Sequence, residues 1–208
     1  MQREHFENEN YEQETIPVNM GFVQLFSIII FIVYGWVFLL LFNLIGDISF
    51  WSSLRVEQDT IFGANVFINM SFLFILIPIL LFLAHELIHG IFGALYSENG
   101  FKSIKFGVMG LKGMFSPYCH CREVVKVWQF YMIALMPTII LGIIPSIIAL
   151  IFGWSHLLLI SILMTAAGAG DIFYAIKMLK YNKDDYLYEL PNDQNLLGLI
   201  IYKQKHNY

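Results

Sequence analysis

The longest uncharged stretches of this chain limit its fold more than any other feature. Glu14 and Asp47 are separated by 32 residues without a charge, and Lys126 and Asp171 by 44. A helix needs ~20 apolar residues to cross a bilayer, and soluble domains rarely carry such long stretches without charges. Because 58% of the residues are hydrophobic and only 13% are charged, the sequence predicts a membrane protein.

Four membrane-spanning helices are predicted from these stretches. The first covers 21–46, and the second runs from about 65 to 95. The 44-residue stretch is too long for one crossing, and GWSH at 153–156 divides it into a third and a fourth helix joined by a tight turn. Pro137 and Pro145 favour a kinked or broken third helix.

The predicted fold class is an all-α polytopic membrane protein. Its four transmembrane helices are accompanied by a short strand-like cytosolic segment between helices 2 and 3, where IKFGVMGLKGMF at 104–115 alternates and is rich in Gly. We expect an acidic cytosolic tail at 1–20, a single membrane-embedded domain at 21–180 and a cytosolic tail at 181–208. The apolar stretch at 196–202 is expected to dock on the bilayer surface or on a neighbouring helix.

The distribution of Lys and Arg predicts the orientation. The N-terminal tail, the segment between helices 2 and 3 and the C-terminal tail hold eleven of the twelve basic residues. Cytosolic loops carry such an excess, so we expect both termini in the cytosol. The net charge is −4 and the basic residues form no dense run, which argues against nucleic-acid binding.

The motif HELIHG brings ionisable groups into the second apolar stretch. His85 and His89 are four residues apart, so on a helix both imidazoles lie on one face and can reach one metal ion. Glu86 lies beside them and could take a proton from a metal-bound water, as in the HExxH signature of zinc hydrolases. Two core histidines with a paired glutamate are the alternative, which fits poorly in a membrane span.

A third metal ligand is predicted at Asp171, at the end of AAGAGD in the fourth helix. A catalytic zinc has three protein ligands and an open position, and intramembrane carboxylates are functional candidates by default. His89 lies nine residues before Glu98, and Asp171 six before Lys177. At ~1.5 Å per residue both lie at ~9–13 Å from the cytosolic boundary. The alternative is that Asp171 caps its span.

Small residues in both helices suggest a close approach between them. They are Gly90, Gly93, Ala94, Ala166, Ala167, Gly168, Ala169 and Gly170.

His120 in SPYCHC is a further candidate with several open roles. It could be a fourth ligand, an oxyanion donor or a substrate contact, although an exposed strand residue is the simpler interpretation. Cys119 and Cys121 flank it, and an isolated CxC pair is weak support for a metal role. In the cytosol both thiols should stay reduced.

Four segments together resemble a bacterial family of zincin peptidases, which is a domain of unknown function, over about residues 65–180. They are HELIHG, AAGAGD, SPYCHCRE and ALMPTIILGIIP. That family is similar to the site-2 intramembrane zinc metalloproteases. The resemblance implies His85, His89 and Asp171 as zinc ligands, Glu86 as the catalytic base and location in the bacterial plasma membrane. In site-2 enzymes the ligand Asp is followed by Gly, and an Asn and a Pro lie upstream of it. In this sequence the order differs, because a Gly precedes Asp171.

The expected function is therefore that of an intramembrane zinc metalloendopeptidase. Its expected partners are the lipid bilayer and a membrane-anchored protein or hydrophobic peptide as substrate. The alternative is a non-enzymatic metal-binding membrane protein, either a transporter or sensor subunit or an inactive scaffold. A transporter of four spans would need to form a homo-oligomer.

Overall fold

The computed structural model of this chain describes residues 6, 11–17, 20–45, 67–111, 114–190 and 198–204. The segment between the first two predicted helices, 47–64, lies outside these residues. The helices of the described part are α1 (Met20–Ile45), α2 (Phe67–Tyr96), α3 (Val127–Thr138), α4 (Ile144–Phe152), α5 (Ser155–Ala167) and α6 (Ala169–Met178).

Several of these helices are suited to a membrane. Three helical stretches are long and apolar enough to cross it, at 21–45, 76–96 and 127–152. Helices α5 and α6 meet the same criteria together but are bent by 46° at their break. By length and composition, the described residues therefore contain three candidate crossings, or four if the bent pair is one span.

The third apolar stretch is interrupted where the prolines predict an irregularity. A π-helical segment, Ile139–Ile143, joins α3 to α4. Helix α4 then ends at Gly153, whose φ of 69° is left-handed, and the Trp154 N–H donates to the Ala149 carbonyl. The predicted tight turn before the next helix is confirmed. π-Helical turns within α-helices often mark functional sites.

Two β-sheets within the described ranges contradict the all-α prediction. A four-stranded antiparallel sheet has the strand order β1-β6-β5-β4, and β2 and β3 form a separate hairpin. The strands are β1 (Tyr11–Pro17), β2 (Ile104–Leu111), β3 (Met114–Cys121), β4 (Val125–Lys126), β5 (Tyr186–Leu190) and β6 (Gly198–Gln204). The hairpin confirms the strands expected at 104–115, whereas the four-stranded sheet was not predicted.

The missed sheet is built from partners that are far apart in sequence. Strand β1 pairs with β6, so that Tyr11 lies opposite Gln204. Each strand alone reads as a short segment of a tail, because its pairing partner determines its conformation. Strand β6 lies between β1 and β5, which was not predicted. Its Leu199 and Ile201 share a buried core with side chains of α3 and α6, which agrees with the expectation that 196–202 docks on a neighbouring helix.

One compact unit of the chain contains the sheets. It comprises Met1–Val23, Glu86–Met136 and Asp171–Tyr208. Its core joins side chains from the four-stranded sheet with side chains from α3 and α6. The buried members of this core include Val125, Val127, Phe130, Ile133, Met178, Leu187, Leu199 and Ile201.

A second compact unit comprises Gln24–His85 and Pro137–Gly170. Its core lies among α1, α4 and α5, with Phe42, Ala149, Leu158 and Ile162 buried. Hydroxyl groups within it bond to one another: Tyr34 Oη donates to Ser146 Oγ at 2.9 Å, and Ser146 Oγ lies 2.8 Å from Ser161 Oγ. Each unit thus has an apolar core of its own.

A buried carboxylate ties the hairpin to the end of α2. Glu123 follows β3 and accepts hydrogen bonds from the Glu98 N–H at 2.9 Å, the Asn99 N–H at 3.2 Å, the Asn99 side-chain amide at 2.8 Å and the Ser103 hydroxyl. Burial opposes ionisation of this group, but the hydrogen bonds from Ser103, Asn99 and Glu98 outweigh it and lower the Glu123 pKa to about 2.

We expect Glu123→Gln to reduce the free energy of unfolding by about 2 kcal/mol at neutral pH, because hydrogen bonds to an ionised acceptor are lost. Because folding lowers the pKa of Glu123, its ionised carboxylate stabilises the fold at pH values above the ordinary pKa of 4.5. This stabilisation is lost as the pH falls towards 2. The difference between wild type and variant should therefore shrink across that range. Denaturant unfolding in detergent from pH 7 to pH 2.5 measures it.

Asp184→Asn is the matched control, because Asp184 makes an exposed ion pair with Lys126 at 3.4 Å. It should change stability by less than about 1 kcal/mol. An equal loss in both variants would contradict the role of Glu123.

Candidate metal centre

Helix α2 carries three of the predicted site residues in one continuous helix. His85 is 5% exposed, and Glu86 and His89 are half-buried. Because His85 and His89 are one helical turn apart, their rings lie on the same face of α2. The helix thus supplies two imidazoles on one side, as the spacing in the sequence predicts.

Asp171 lies in the first turn of α6. Gly168 ends α5, and the break between α5 and α6 allows a new helix to start two residues before this carboxylate. A carboxylate in the first turn is stabilised by the unpaired N–H groups of that turn. Asp171 Oδ2 lies 3.4 Å from Nε2 of His89.

The side chains of His85, His89 and Asp171 come together as one group. One ligand atom from each lies within 4.8 Å of the other two, and within the described residues no other group of three His, Cys, Asp or Glu side chains is this close. In a tetrahedral zinc site with bonds of ~2.1 Å, ligand atoms are ~3.4 Å apart. Two imidazole nitrogens and a carboxylate oxygen suit zinc chemically, and the 3.4 Å between His89 Nε2 and Asp171 Oδ2 matches that spacing.

A backbone carbonyl orients the His89 ring. His89 Nδ1 lies 2.8 Å from the carbonyl oxygen of Ile133, and since a carbonyl only accepts, Nδ1 carries the proton. Nε2 is then the atom with a lone pair, and it is the atom that faces Asp171. Metal-ligating histidines are commonly fixed in this way by a hydrogen bond from their other nitrogen.

Pro137 explains why the Ile133 carbonyl is available. In an α-helix that carbonyl would accept from the N–H four residues later, but residue 137 lies within α3 and is a proline. The missing N–H leaves the carbonyl to His89. Pro137 was predicted only as a source of irregularity, and its position relative to His89 requires the folded structure.

Glycines of α2 contact the hairpin rather than another helix. A Cβ on Gly90 would collide with the ring of Phe106, and one on Gly93 would lie 2.8 Å from Ile104 Cδ1. The expectation that these two glycines admit the fourth helix is therefore wrong. The close approach they allow is to β2, which covers the helix that carries the two histidines.

His120 is buried rather than exposed, so the simpler expectation for it is wrong. It is 7% exposed on β3, and its Nδ1 lies 3.3 Å from Glu189 Oε2 on β5. Among the described residues it does not join the His85 group. Its contact with Glu189 connects the hairpin to the four-stranded sheet.

Cys119 and Cys121 are free thiols. Burial and the carboxylates of Glu189 and Glu86 raise the pKa of the Cys119 thiol. Burial also raises the pKa of Cys121, whose sulfur lies 3.2 Å from Ser97 Oγ. Protonated thiols are poor nucleophiles and poor metal ligands, so both cysteines fit a structural role.

Comparison with known proteins identifies a family for this part of the chain. A family model described as "Putative zincin peptidase" matches residues 78–186, which is just over half of the 208 residues. The matched range includes the histidines of α2, the hairpin and Asp171. No curated protein and no solved structure matches the chain.

The first prediction from this site concerns metal content. Detergent-purified protein should contain about one zinc per chain, and His85→Ala and Asp171→Ala should each lose it, because two protein ligands hold zinc weakly. Elemental analysis measures this without a substrate. His156→Ala is the control outside the group and should retain zinc. Retention of zinc in Asp171→Ala alone would contradict the carboxylate ligand.

The second prediction concerns the support of His89. Pro137→Ala restores an N–H that competes with His89 Nδ1 for the Ile133 carbonyl, so zinc affinity should fall by about 10- to 100-fold. Titration in zinc buffers measures the change. Pro145→Ala, a proline at the start of α4, is the matched control and should leave the affinity unchanged. Equal affinities in wild type and Pro137→Ala would contradict the proposed support.

Proposed function

Because the chain belongs to the zincin-peptidase family, we propose that it is an intramembrane zinc metallopeptidase that hydrolyses a membrane-anchored or hydrophobic peptide. The observation that carries this proposal is the group of His85, His89 and Asp171 on helices apolar enough to cross a membrane. Ionisable side chains at such positions are costly, and a metal ion that binds all three offsets that cost.

The chain's own residues divide the work of hydrolysis. Bound zinc would lower the pKa of a coordinated water to ~7 and polarise the scissile carbonyl. His85, His89 and Asp171 would hold the metal. Glu86, next to His85 on α2, would take the proton of the attacking water and return it to the leaving amine.

The hairpin of β2 and β3 is the proposed binding surface for the substrate. A peptide must be extended to be cut, and an extended peptide can pair with the edge of a sheet. Within the described residues, β2 and β3 form a sheet of only two strands. Phe106 and Val108 of β2 are exposed, at 48% and 65%. An unwound apolar peptide could add to the edge of β2 by main-chain hydrogen bonds, with apolar side chains contacting these residues. This favours a hydrophobic substrate.

The proposed location follows from the charges. The excess of Lys and Arg favours a cytosolic location for the hairpin side of α2. The proposed membrane is the plasma membrane of a bacterium, as the family resemblance implies. His89 lies seven residues before the end of α2 at Tyr96, so water would reach the site from the cytosolic half of the membrane.

Glu86→Gln tests the function. The amide cannot accept the proton of the attacking water, so cleavage should fall by about 10²- to 10⁴-fold while zinc content is unchanged. Mass spectrometry of the new N-termini in membranes that contain wild type or variant detects cleavage of whichever protein is the substrate. Glu98→Gln, beyond the end of α2, is the control and should retain activity.

The other functions give different results. Impaired metal transport in Glu86→Gln without any wild-type cleavage product would favour a transporter. No difference between wild type and variant in either measurement would favour a scaffold.

A further inference from the structure

Thr138 has a buried hydroxyl group that the proposed mechanism does not yet use. It is the last residue of α3, directly before the π-helical segment, and it is 2% exposed. Its Oγ1 makes no hydrogen bond to any residue in the described ranges. Buried hydroxyls are almost always bonded, because leaving one unpaired is costly.

A second buried threonine of the same unit shows the usual arrangement. Thr165 on α5 is 3% exposed, and its Oγ1 donates to the Ser161 carbonyl one turn earlier at 2.9 Å. Ser146 bonds back to the Gly142 carbonyl in the same way. The helical location alone therefore does not explain the unpaired hydroxyl of Thr138.

The position of this hydroxyl relates it to a predicted metal ligand. A Cβ on Gly168 would collide with Thr138 Oγ1 and would lie 3.4 Å from Cε1 of His85. The Thr138 hydroxyl and the His85 ring thus lie on the same side of residue 168, and the hydroxyl can approach the backbone there because residue 168 is a glycine. All three residues belong to the same compact unit.

Peptide hydrolysis is faster when a hydrogen-bond donor lies near the metal ligands. Negative charge develops on the scissile carbonyl oxygen, and a preorganised donor aimed at that oxygen lowers the barrier. Ionised Glu86 and Asp171 can only accept hydrogen bonds, and His89 Nδ1 already donates to Ile133. Thr138 offers a neutral hydroxyl in a water-poor position.

We propose that the Thr138 hydroxyl is a catalytic donor that binds the carbonyl oxygen of the scissile peptide bond as charge develops on it. This inference rests on the proposed peptidase function. Thr138 forms no covalent bond in this role, and its proton stays on Oγ1. The cost of a buried hydroxyl with no partner among the described residues is then offset when substrate is bound.

Two peptide inhibitors of the same hydrophobic sequence test the proposal on detergent-purified, zinc-loaded protein. A phosphinic peptide carries a tetrahedral centre with two oxygens, one for the metal and one for a donor. A thiol peptide binds the metal through sulfur and presents no such second oxygen. Thr138→Val, which keeps the shape but removes the hydroxyl, should weaken phosphinic-peptide binding by about 10- to 100-fold and leave thiol-peptide binding unchanged. Thr138→Ser should restore most of the affinity.

Thermal stability separates this role from a structural one. Since the hydroxyl has no hydrogen-bond partner among the described residues, Thr138→Val should keep or raise the melting temperature. The matched control Thr165→Val removes a bonded hydroxyl, so it should lower the melting temperature and leave the ratio of the two affinities unchanged.

The remaining outcomes are distinct. Equal binding of the phosphinic peptide to wild type and Thr138→Val would overturn the inference and leave the peptidase function standing. Loss of zinc or of thermal stability in Thr138→Val would also overturn it, by assigning Thr138 to support of the fold or the metal. If neither inhibitor binds the zinc-loaded wild type, the peptidase function and this inference both fail.

Discussion

The burial of ionisable side chains in apolar helices is the constraint on which the rest of the structure depends. His85, His89 and Asp171 would each be costly alone in such surroundings, and they lie within reach of one another. His89 is held further by the Ile133 carbonyl, which a proline four residues later leaves without its helical donor. An irregularity in one helix thus serves a side chain on another.

Strands as well as a neighbouring helix hold the helix that carries the two histidines. Phe106 and Ile104 of β2 lie against Gly90 and Gly93, and Glu123 bonds to the backbone just after the helix ends. His120 then links the hairpin to Glu189 of the larger sheet. Such a site depends on ångström-scale placement, and these hydrogen bonds and well-packed side chains support it. In the proposed orientation, the support lies on the cytosolic side.

Local sequence patterns predicted much of the site, whereas long-range strand pairing limited how much of the fold could be predicted. The spacing of His85 and His89 determines their common face on any helix, and the matching depth of Asp171 predicted its approach to them; the role of all three as ligands stays a prediction. The four-stranded sheet was missed because β1 and β6 determine each other's conformation from opposite ends of the chain. The partners of Gly90 and Gly93 were misjudged because small residues indicate a close approach without identifying the neighbour.

The pairing of β1 with β6 also has a consequence for biosynthesis. Tyr11 of β1 is synthesised early, whereas its partner Gln204 follows 193 residues later. At roughly 5–20 residues per second, β1 waits on the order of ten to forty seconds for that partner. The unit that contains Glu86, His89 and Asp171 also contains both strands, so its sheet closes only when synthesis has passed residue 204. A nascent chain therefore lacks the completed support for its own site, and a hydrolase built in this way would reach its working form only after translation of β6.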